Sequence, residues 1–224
     1  MTNSHDISTH LAQLPEPTLR RLPWYLALVA KLKREGVKHI SSTQMSRLVG
    51  VDAAKIAKDL SFLNIKGKTR IGYEVDALES RLSLFLGFET RHNAIIVGVG
   101  SLGSALMRDK GLNRYGLDIV AGFDVNPEVV GSEILSANVY HIDRLREIVA
   151  SLGVTIAAVT VPFEAAQTVT DIIVSAGIKA IWNFTPCRIQ VPNGVVVQNT
   201  SIYSHLAVMY NRLSNLENDE NTLD

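Results

Sequence analysis

The hexapeptide Gly98-Val99-Gly100-Ser101-Leu102-Gly103 narrows the folds open to this chain more than any other feature. It closes an apolar run, Ala94 to Val99, and opens a stretch of helical spacing at about 101 to 115. Strand, glycine turn and helix N-terminus in that order are the local form of a dinucleotide-binding fingerprint. Gly98 serves the tight turn, Gly100 lets the backbone approach a pyrophosphate, and Gly103 lets helix and strand pack closely. The helix N-terminus offers amides and partial positive charge to the anion. Such a pattern alone is weak; its context makes it specific. Asp124 lies 21 residues beyond Gly103 at the end of a second apolar run, where a carboxylate can hydrogen-bond the adenosine ribose hydroxyls. The competing reading, glycines that serve only a turn and an Asp that merely ends a strand, has to hold at all four positions together.

A carboxylate facing the ribose repels the 2′-phosphate of NADP, and Val125-Asn126-Pro127 supplies no Arg to neutralise it, so NAD(H) is the expected cofactor. Further apolar runs follow at Asp118 to Phe123, Ala137 to Tyr140, Thr155 to Val161, Ala180 to Phe184 and Val195 to Val197, with helical stretches at 142–152 and 163–176 between them. That alternation predicts an α/β domain with a parallel sheet covered on both faces. Thr160-Val161-Pro162 and Asn183-Phe184-Thr185-Pro186 each close a strand at the carboxyl edge, where a nicotinamide ring would lie, although each also reads as an ordinary strand-to-helix turn. The candidate cofactor-binding residues are therefore Gly98, Gly100, Ser101, Leu102, Gly103, Asp124, Thr160, Val161, Pro162, Asn183 and Phe184.

The N-terminal part has a different texture. The net charge of the chain is zero, yet residues 14 to 72 hold 12 Lys and Arg against 4 Asp and Glu. That excess suits a polyanion, or simply a solvated basic surface. Thr18 to Arg34 repeats Leu19, Leu22, Leu26, Val29, Ala30 and Leu32 near helical spacing. Ser41 and Gln44 have capping-box spacing for a short second helix, Thr43 to Val49. Asp52 can cap a third helix, Ala53 to about Leu63, with Ile56, Leu60 and Leu63 inward and Lys55 and Lys58 outward. Lys66 to Tyr73 is basic and holds two glycines, as a β-wing does, before Val75 to Leu86 resumes helical spacing. Three short helices and a wing form a winged helix-turn-helix, whose third helix enters the major groove. The alternative is a small helical bundle used only for oligomer contacts. On the DNA reading the candidate contacts are Ser42, Lys55, Lys58, Ser61, Lys68 and Arg70, with Ser61 the weaker because its hydroxyl can bond its own helix.

Other classes are excluded one by one. At 46% hydrophobic residues the chain carries enough apolar surface for a core, so disorder is excluded. Its charge-free stretches are broken by Gly, Pro, Asn and Gln before ~18 apolar residues accumulate, so no transmembrane helix is expected. MTNSHDISTH has neither the basic nor the apolar region of a signal peptide, and Cys187 has no second cysteine to pair with, which together point to the cytoplasm. No His, Lys or Tyr stands in an obvious acid/base position beside Thr160 or Asn183, and only about 100 residues follow Asp124, too few for a substrate domain. His92, His141 and His205 have no metal-ligand spacing with Cys187, so no metal is expected. Cys187 itself reads either as a buried small residue or as a thiol sensor near the nicotinamide.

A last helix begins near Ser201 and carries Ile202, Leu206, Met209, Leu213 and Leu216 as one seam. The seam either folds back onto its own sheet or reaches a second subunit. The order of a winged helix, GVGSLG, FDVNP, TVP and NFTP, closed by this amphipathic helix, resembles the bacterial Rex family of redox-sensing transcriptional repressors. Arg21-Leu22-Pro23, Lys58-Asp59-Leu60-Ser61, Gly72-Tyr73 and Ala165-Ala166-Gln167 carry the resemblance most specifically, and it runs from Pro15 to Leu213.

The resemblance implies a homodimer that senses the NADH/NAD+ ratio, binds palindromic operators of anaerobic or fermentative genes, and lets go when NADH binds. It also implies a C-terminal helix swapped into the partner. The chain departs from the family pattern at Ala57, where an Arg is usual, in the wing Gly67-Lys68-Thr69-Arg70, at Ser201, where an Asp usually pairs with the helix-one Arg, and at Asp109, where a Tyr is usual. Arg21 thus lacks its expected partner unless Asp109 takes that role, and Arg21, Asp109 and Ser201 are the candidate switch residues.

The expected layout is a flexible N-terminus over 1–14, a winged-helix DNA-binding domain over 15–88, a Rossmann NAD(H)-binding domain over 89–200, a dimerisation helix over 201–217 and a disordered tail over 218–224. The competing class is a small NAD-dependent oxidoreductase or a CoA-type nucleotide-binding protein with an appended helical domain.

Overall fold

The computed structural model describes residues 14–220, and the chain divides into two compact units between Thr90 and Arg91. The expectations of a flexible N-terminus and a disordered tail fall, apart from Leu14 and residues 218–220, outside the described residues.

The N-terminal unit opens with α1, Glu16–Arg34, which starts two residues before the predicted Thr18 because a proline is accommodated in a first helical turn, where its missing N–H has no partner to lose. Thr18, Leu22, Tyr25, Leu26 and Val29 form its buried stripe. Strand β1, His39–Ile40, leads to α2, Ser42–Val49, which begins with the predicted capping box: Gln44 N donates to Ser41 Oγ at 3.1 Å and Ser41 N donates to Gln44 Oε1 at 2.8 Å. Helix α3, Ala53–Ser61, is capped by Asp52, whose Oδ1 accepts from Ala54 N and Lys55 N at 3.0 Å. Strand β2, Tyr73–Glu74, pairs antiparallel with β1, and α4, Val75–Phe85, closes the unit. Leu22, Tyr25 and Val29 pack with Met45, Ile56, Leu60, Leu78 and Leu82 into its core.

The C-terminal unit is built on a seven-stranded sheet of order β5-β6-β4-β3-β7-β8-β9. Its strands are β3 His92–Val97, β4 Leu117–Asp124, β5 Glu133–Ile134, β6 Ala137–His141, β7 Ile156–Val159, β8 Ala180–Asn183 and β9 Val196–Asn199. All pairings are parallel except β5 with β6. Leaving out β5, the order is that of the doubly wound dinucleotide-binding sheet, with its reversal between β3 and β7. Side chains alternate across the sheet. Ile95, Val97, Ala157, Val159 and Ile181 pack with Leu145 and Val149 of α7, Leu145–Leu152, and with Ala166 and Ile173 of α8, Ala166–Ser175. Ile96, Val99 and Ala158 pack on the other face with Met107 of α5, Ser101–Arg108.

Three further details differ from the expectation. The helix expected to run on to about residue 115 breaks at Asp109, whose extended backbone and Oδ1 bond from Gly111 N start a separate short helix, α6, Lys110–Arg114. Strand β5, two residues long, was not expected, since so short a segment shows no period. The last helix, α9, runs Ile202–Glu220, beyond the predicted 217. Ile202, Met209, Leu213 and Leu216 on its seam are 50% to 62% exposed, so the seam does not fold back onto its own sheet.

Candidate functional site

The reversal point of the sheet opens into a cleft of about 540 Å³, within the range of small-molecule pockets. Gly98 and Gly100 from the end of β3, Asp124 and Asn126 from the end of β4, and Thr160, Val161 and Pro162 from the end of β7 line it. The three glycines differ in what they do. Gly98 has φ +95°, and a Cβ there would stand 2.8 Å from Thr160 O. A Cβ on Gly103 would stand 1.9 Å from Gly98 O, so the helix packs on the turn only because that atom is missing. Nothing stands within 4 Å of where a Cβ on Gly100 would point, which leaves open space at the N-terminus of α5. That space, beside free helix amides, suits a pyrophosphate.

Asp124 does more than line the cleft. Val99 N donates to its Oδ2 at 2.6 Å, and Val125 N and Asn126 N donate to Oδ1 at 2.7 and 2.9 Å. The carboxylate therefore binds the glycine turn of β3 to the end of β4. With about four acceptor positions on a carboxylate, it keeps room for one further donor such as a ribose hydroxyl. Thr160 Oγ1 donates to Gly98 O at 2.6 Å, so its side chain closes the turn from the β7 side. Among the residues lining the cleft, Asp124 has the only ionisable side chain.

Other expected cofactor residues lie apart from the lining. Ser101 and Leu102 are in the first turn of α5. Asn183 is 1% exposed, and its amide is fully engaged: Nδ2 donates to Cys187 O and to Asn199 Oδ1, both at 2.8 Å, while Oδ1 accepts from Thr185 N and Thr185 Oγ1. The Phe184 ring packs on Trp182 at 4.5 Å between centroids, on the face of the sheet that Met107 covers. Cys187 is half-buried. No group of three or more His, Cys, Asp or Glu able to hold a metal occurs among the described residues.

In the N-terminal unit Lys55, Lys58 and Ser61 are exposed on α3, and Ser61 Oγ donates to Lys58 O at 2.7 Å. Ser42 is half-buried in the first turn of α2. Lys68 and Gly72 exchange backbone hydrogen bonds of 2.8 Å in both directions, which closes a hairpin with Thr69, Arg70 and Ile71 at its tip. Lys68 and Arg70 are exposed on that wing. Arg70 has φ +64° and Gly72 φ +94°; a Cβ on Gly72 would stand 2.4 Å from Ile40 O, so the wing is seated against β1 by a glycine that nothing else can replace.

Each switch candidate has a partner in this structure, and that of Arg21 is Asp59 of α3, which the sequence did not suggest. Arg21 grips Asp59 with two bonds, Nε to Oδ2 and Nη2 to Oδ1, each 2.7 Å. Thr18 Oγ1 and Tyr25 Oη donate to the same carboxylate at 2.9 and 2.8 Å. Asp59 is 2% exposed; burial pushes its carboxyl up, but the bonds from Arg21, Tyr25 and Thr18 outweigh burial and hold it below its ordinary range. The Asp59 hydrogen bond holds Arg21 protonated, and burial followed by the same carboxylate pushes the Tyr25 phenol up. Asp109 caps α6, and Ser201 Oγ accepts from Ser204 N at 3.1 Å in the first turn of α9. Asp59 was readable as structural: it lies on the inward stripe with Ile56, Leu60 and Leu63, where a carboxylate needs a cation. Gly122 was also missed; its Cβ would crowd Met107 and Val99 at 2.9 to 3.0 Å, which is how β4 admits α5.

Comparison with known proteins matches both units. The model of the CoA binding domain matches residues 89–187, and the model described as "Putative DNA-binding protein N-terminus" matches residues 13–61. The redox-sensing transcriptional repressor Rex of Bacteroides fragilis is 56% identical over 202 residues, 90% of this chain and 92% of that protein. The protein of the same name from Porphyromonas gingivalis is 54% identical over 91% of this chain and 94% of its own. The crystal structure of RSP in complex with β-NAD+ and operator DNA superposes with a TM-score of 0.87 at 32% identity, covering 93% of this chain and 96% of that one. The structure of RSP with β-NADH gives 0.83 at the same identity, covering 93% and 98%.

Proposed function

The chain belongs to the Rex family of redox-sensing transcriptional repressors, and from that premise we propose that it is a homodimeric, NAD(H)-responsive repressor that releases a palindromic operator when NADH binds. It is a repressor and not an enzyme. The observation that carries the reading is the cleft itself: a lining at the reversal of the sheet, between the glycine turn and Thr160 to Pro162, whose only ionisable side chain is already tied to three backbone amides. Such a surface binds and discriminates but has no group to pass a proton. The same chain carries a basic helix and wing.

Roles follow from chemistry. The turn Gly98 to Gly103 and the N-terminus of α5 hold the pyrophosphate, with Ser101 and Leu102 in that first turn. Asp124 takes the adenosine ribose and disfavours a 2′-phosphate. Thr160, Val161 and Pro162 form the edge beside the nicotinamide, which differs between NAD+ and NADH by a hydride and a positive charge; Asn183 and Phe184 support that edge from β8. Lys55 and Lys58 on α3, with Ser42 and Ser61 at the ends of the two helices, face the duplex, and Lys68 and Arg70 carry the wing onto phosphates or the neighbouring minor groove. We assign DNA binding to residues 15–88, cofactor binding to 89–200 and assembly to 201–217. Arg21 uses Nε and Nη2 on Asp59, so a further acceptor in the switch would meet its remaining N–H donors or compete with that pair. No helix of the described residues is long and apolar enough to cross a membrane, and we place the protein in the cytoplasm, where operators and NADH are.

The test is anisotropy of a labelled palindromic duplex titrated with protein in the presence of NAD+ or NADH. Tight binding with NAD+ and release with NADH, without NADH consumption on small carbonyl compounds, is the expected result. Steady NADH oxidation with no duplex affinity would instead make the chain an oxidoreductase.

A further inference from the structure

The end of β8 and the root of α9 are joined by side chains as well as by the sheet. Asn183 and Asn199 stand opposite each other in the parallel register of β8 and β9, and Asn183 Nδ2 donates to Asn199 Oδ1 at 2.8 Å. One residue on, Thr200 N donates to Asn183 O at 2.8 Å, and Trp182 Nε1 donates to Thr200 Oγ1 at 2.9 Å. Helix α9 starts at Ile202. On the other side, Phe184 N donates to Val159 O at 2.9 Å, directly before Thr160, Val161 and Pro162, which line the cleft. The remaining groups of the Asn183 amide hold Thr185 and Cys187, and Asn183 and Thr185 are 1% and 5% exposed. Every donor and acceptor of the Asn183 side chain is therefore engaged, in a network that is buried at Asn183 and Thr185 and reaches the surface at Asn199.

We propose that Asn183 is a positioning residue rather than a cofactor contact, and that it joins the nicotinamide edge of the cleft to the root of α9 through Asn199, with Trp182 and Thr200 as a second clamp. A shift of the 160–162 edge moves Val159 and Phe184, and the network passes it to residues 199 and 200. The inference rests on the sensor reading above and adds the route from the cofactor to the assembly helix. Asn199 is exposed, so changing it opens no cavity.

The experiment measures operator affinity of the full-length protein with NAD+ and with NADH, and takes the ratio. Wild type should give a ratio in the range of roughly 5 to 150. Asn199→Ala removes the acceptor of one Asn183 N–H, and Thr200→Val removes the partner of the Trp182 indole while keeping shape. Each should lower the ratio by about fivefold, the worth of one ordinary hydrogen bond, with NAD+-state operator affinity and the NADH affinity of the DNA-free protein unchanged. Asn199→Asp keeps an acceptor oxygen and should keep the ratio. A wild-type ratio of one overturns the sensor reading and this inference with it. A responsive wild type whose ratio survives in both Asn199→Ala and Thr200→Val overturns the inference alone, as does an equal loss of operator affinity with both cofactors, which marks a purely structural tie.

Discussion

Asp59 shows how one buried residue can set the placement of an exposed helix face. It sits on α3 one position from Lys58, and its carboxylate draws Thr18, Arg21 and Tyr25 of α1 onto that helix. Because its folded pKa lies below the ordinary value, its contribution is fully present above about pH 4 and is lost as pH falls through the folded value. Asp59→Asn should cost about 3 kcal/mol at neutral pH by leaving Arg21 without its anion. The gap in melting temperature between wild type and variant should close as the pH is lowered from 5 to below 3; a gap that stays constant with pH removes the ion pair as its source. The glycines permit a sharper contrast. Gly100→Ala fills open space and should leave the stability within about 1 kcal/mol of wild type while abolishing NADH binding. Gly103→Ala drives a Cβ into Gly98 O and should lower stability itself. Calorimetric melting and a fluorescence titration of both variants separate the two roles, and equal stability losses would contradict them.

Among the elements, the wing carries the most exposed wager of the sequence reading, since eight residues with two glycines have no period to read. Its hairpin exists because Lys68 and Gly72 pair and because Gly72 alone fits against β1. If Lys55, Lys58, Lys68 and Arg70 reach phosphates, the logarithm of operator affinity should fall with the logarithm of salt at a slope of about −0.9 per contact, and Lys58→Ala should make that slope shallower by about one contact. An unchanged slope in the variant removes Lys58 from the interface. The strands around the cleft were legible to within two or three residues, because a buried parallel strand is a continuous apolar run and each ends at Gly, Asp or a Thr-Val-Pro turn. The turn at Gly98 and the close packing at Gly103 were legible too. Partnerships across distant sequence were not: Asp124 gripping Val99, Asn183 holding Asn199, and Asp59 drawing α1 onto α3 depend on which elements the fold makes neighbours. Asp109 was the opposite case. Its local cap on Gly111 breaks a helix whose side-chain period runs through it unmarked.

At the scale of the molecule, α9 is the part that its own chain leaves uncovered. Ile202, Met209, Leu213 and Leu216, with the half-buried Leu206, present a seam whose burial against a second copy is worth ~1.5 to 3 kcal/mol per side chain before the costs of association. Deleting residues from Ser201 onward should convert dimers to monomers or aggregates in sedimentation, and a truncated protein that remains a soluble dimer with full operator affinity would free the helix from any part in assembly.

Assembly and sensing then meet in one thermodynamic constraint. If NADH lowers operator affinity by some factor, linkage requires that the operator lower NADH affinity by the same factor, typically about 5- to 150-fold. If the nicotinamide lies at Thr160 to Pro162, NAD+ should show almost none of this coupling, since only a ligand with different affinity for the two states shifts them. The measurement is a pair of NADH titrations, one with free protein and one with protein saturated by a palindromic duplex, followed by the same pair with NAD+. Equal NADH affinities with and without duplex, in a protein that binds both, would mean that the two sites share a chain but no switch, and the release of operator by NADH would have to be abandoned.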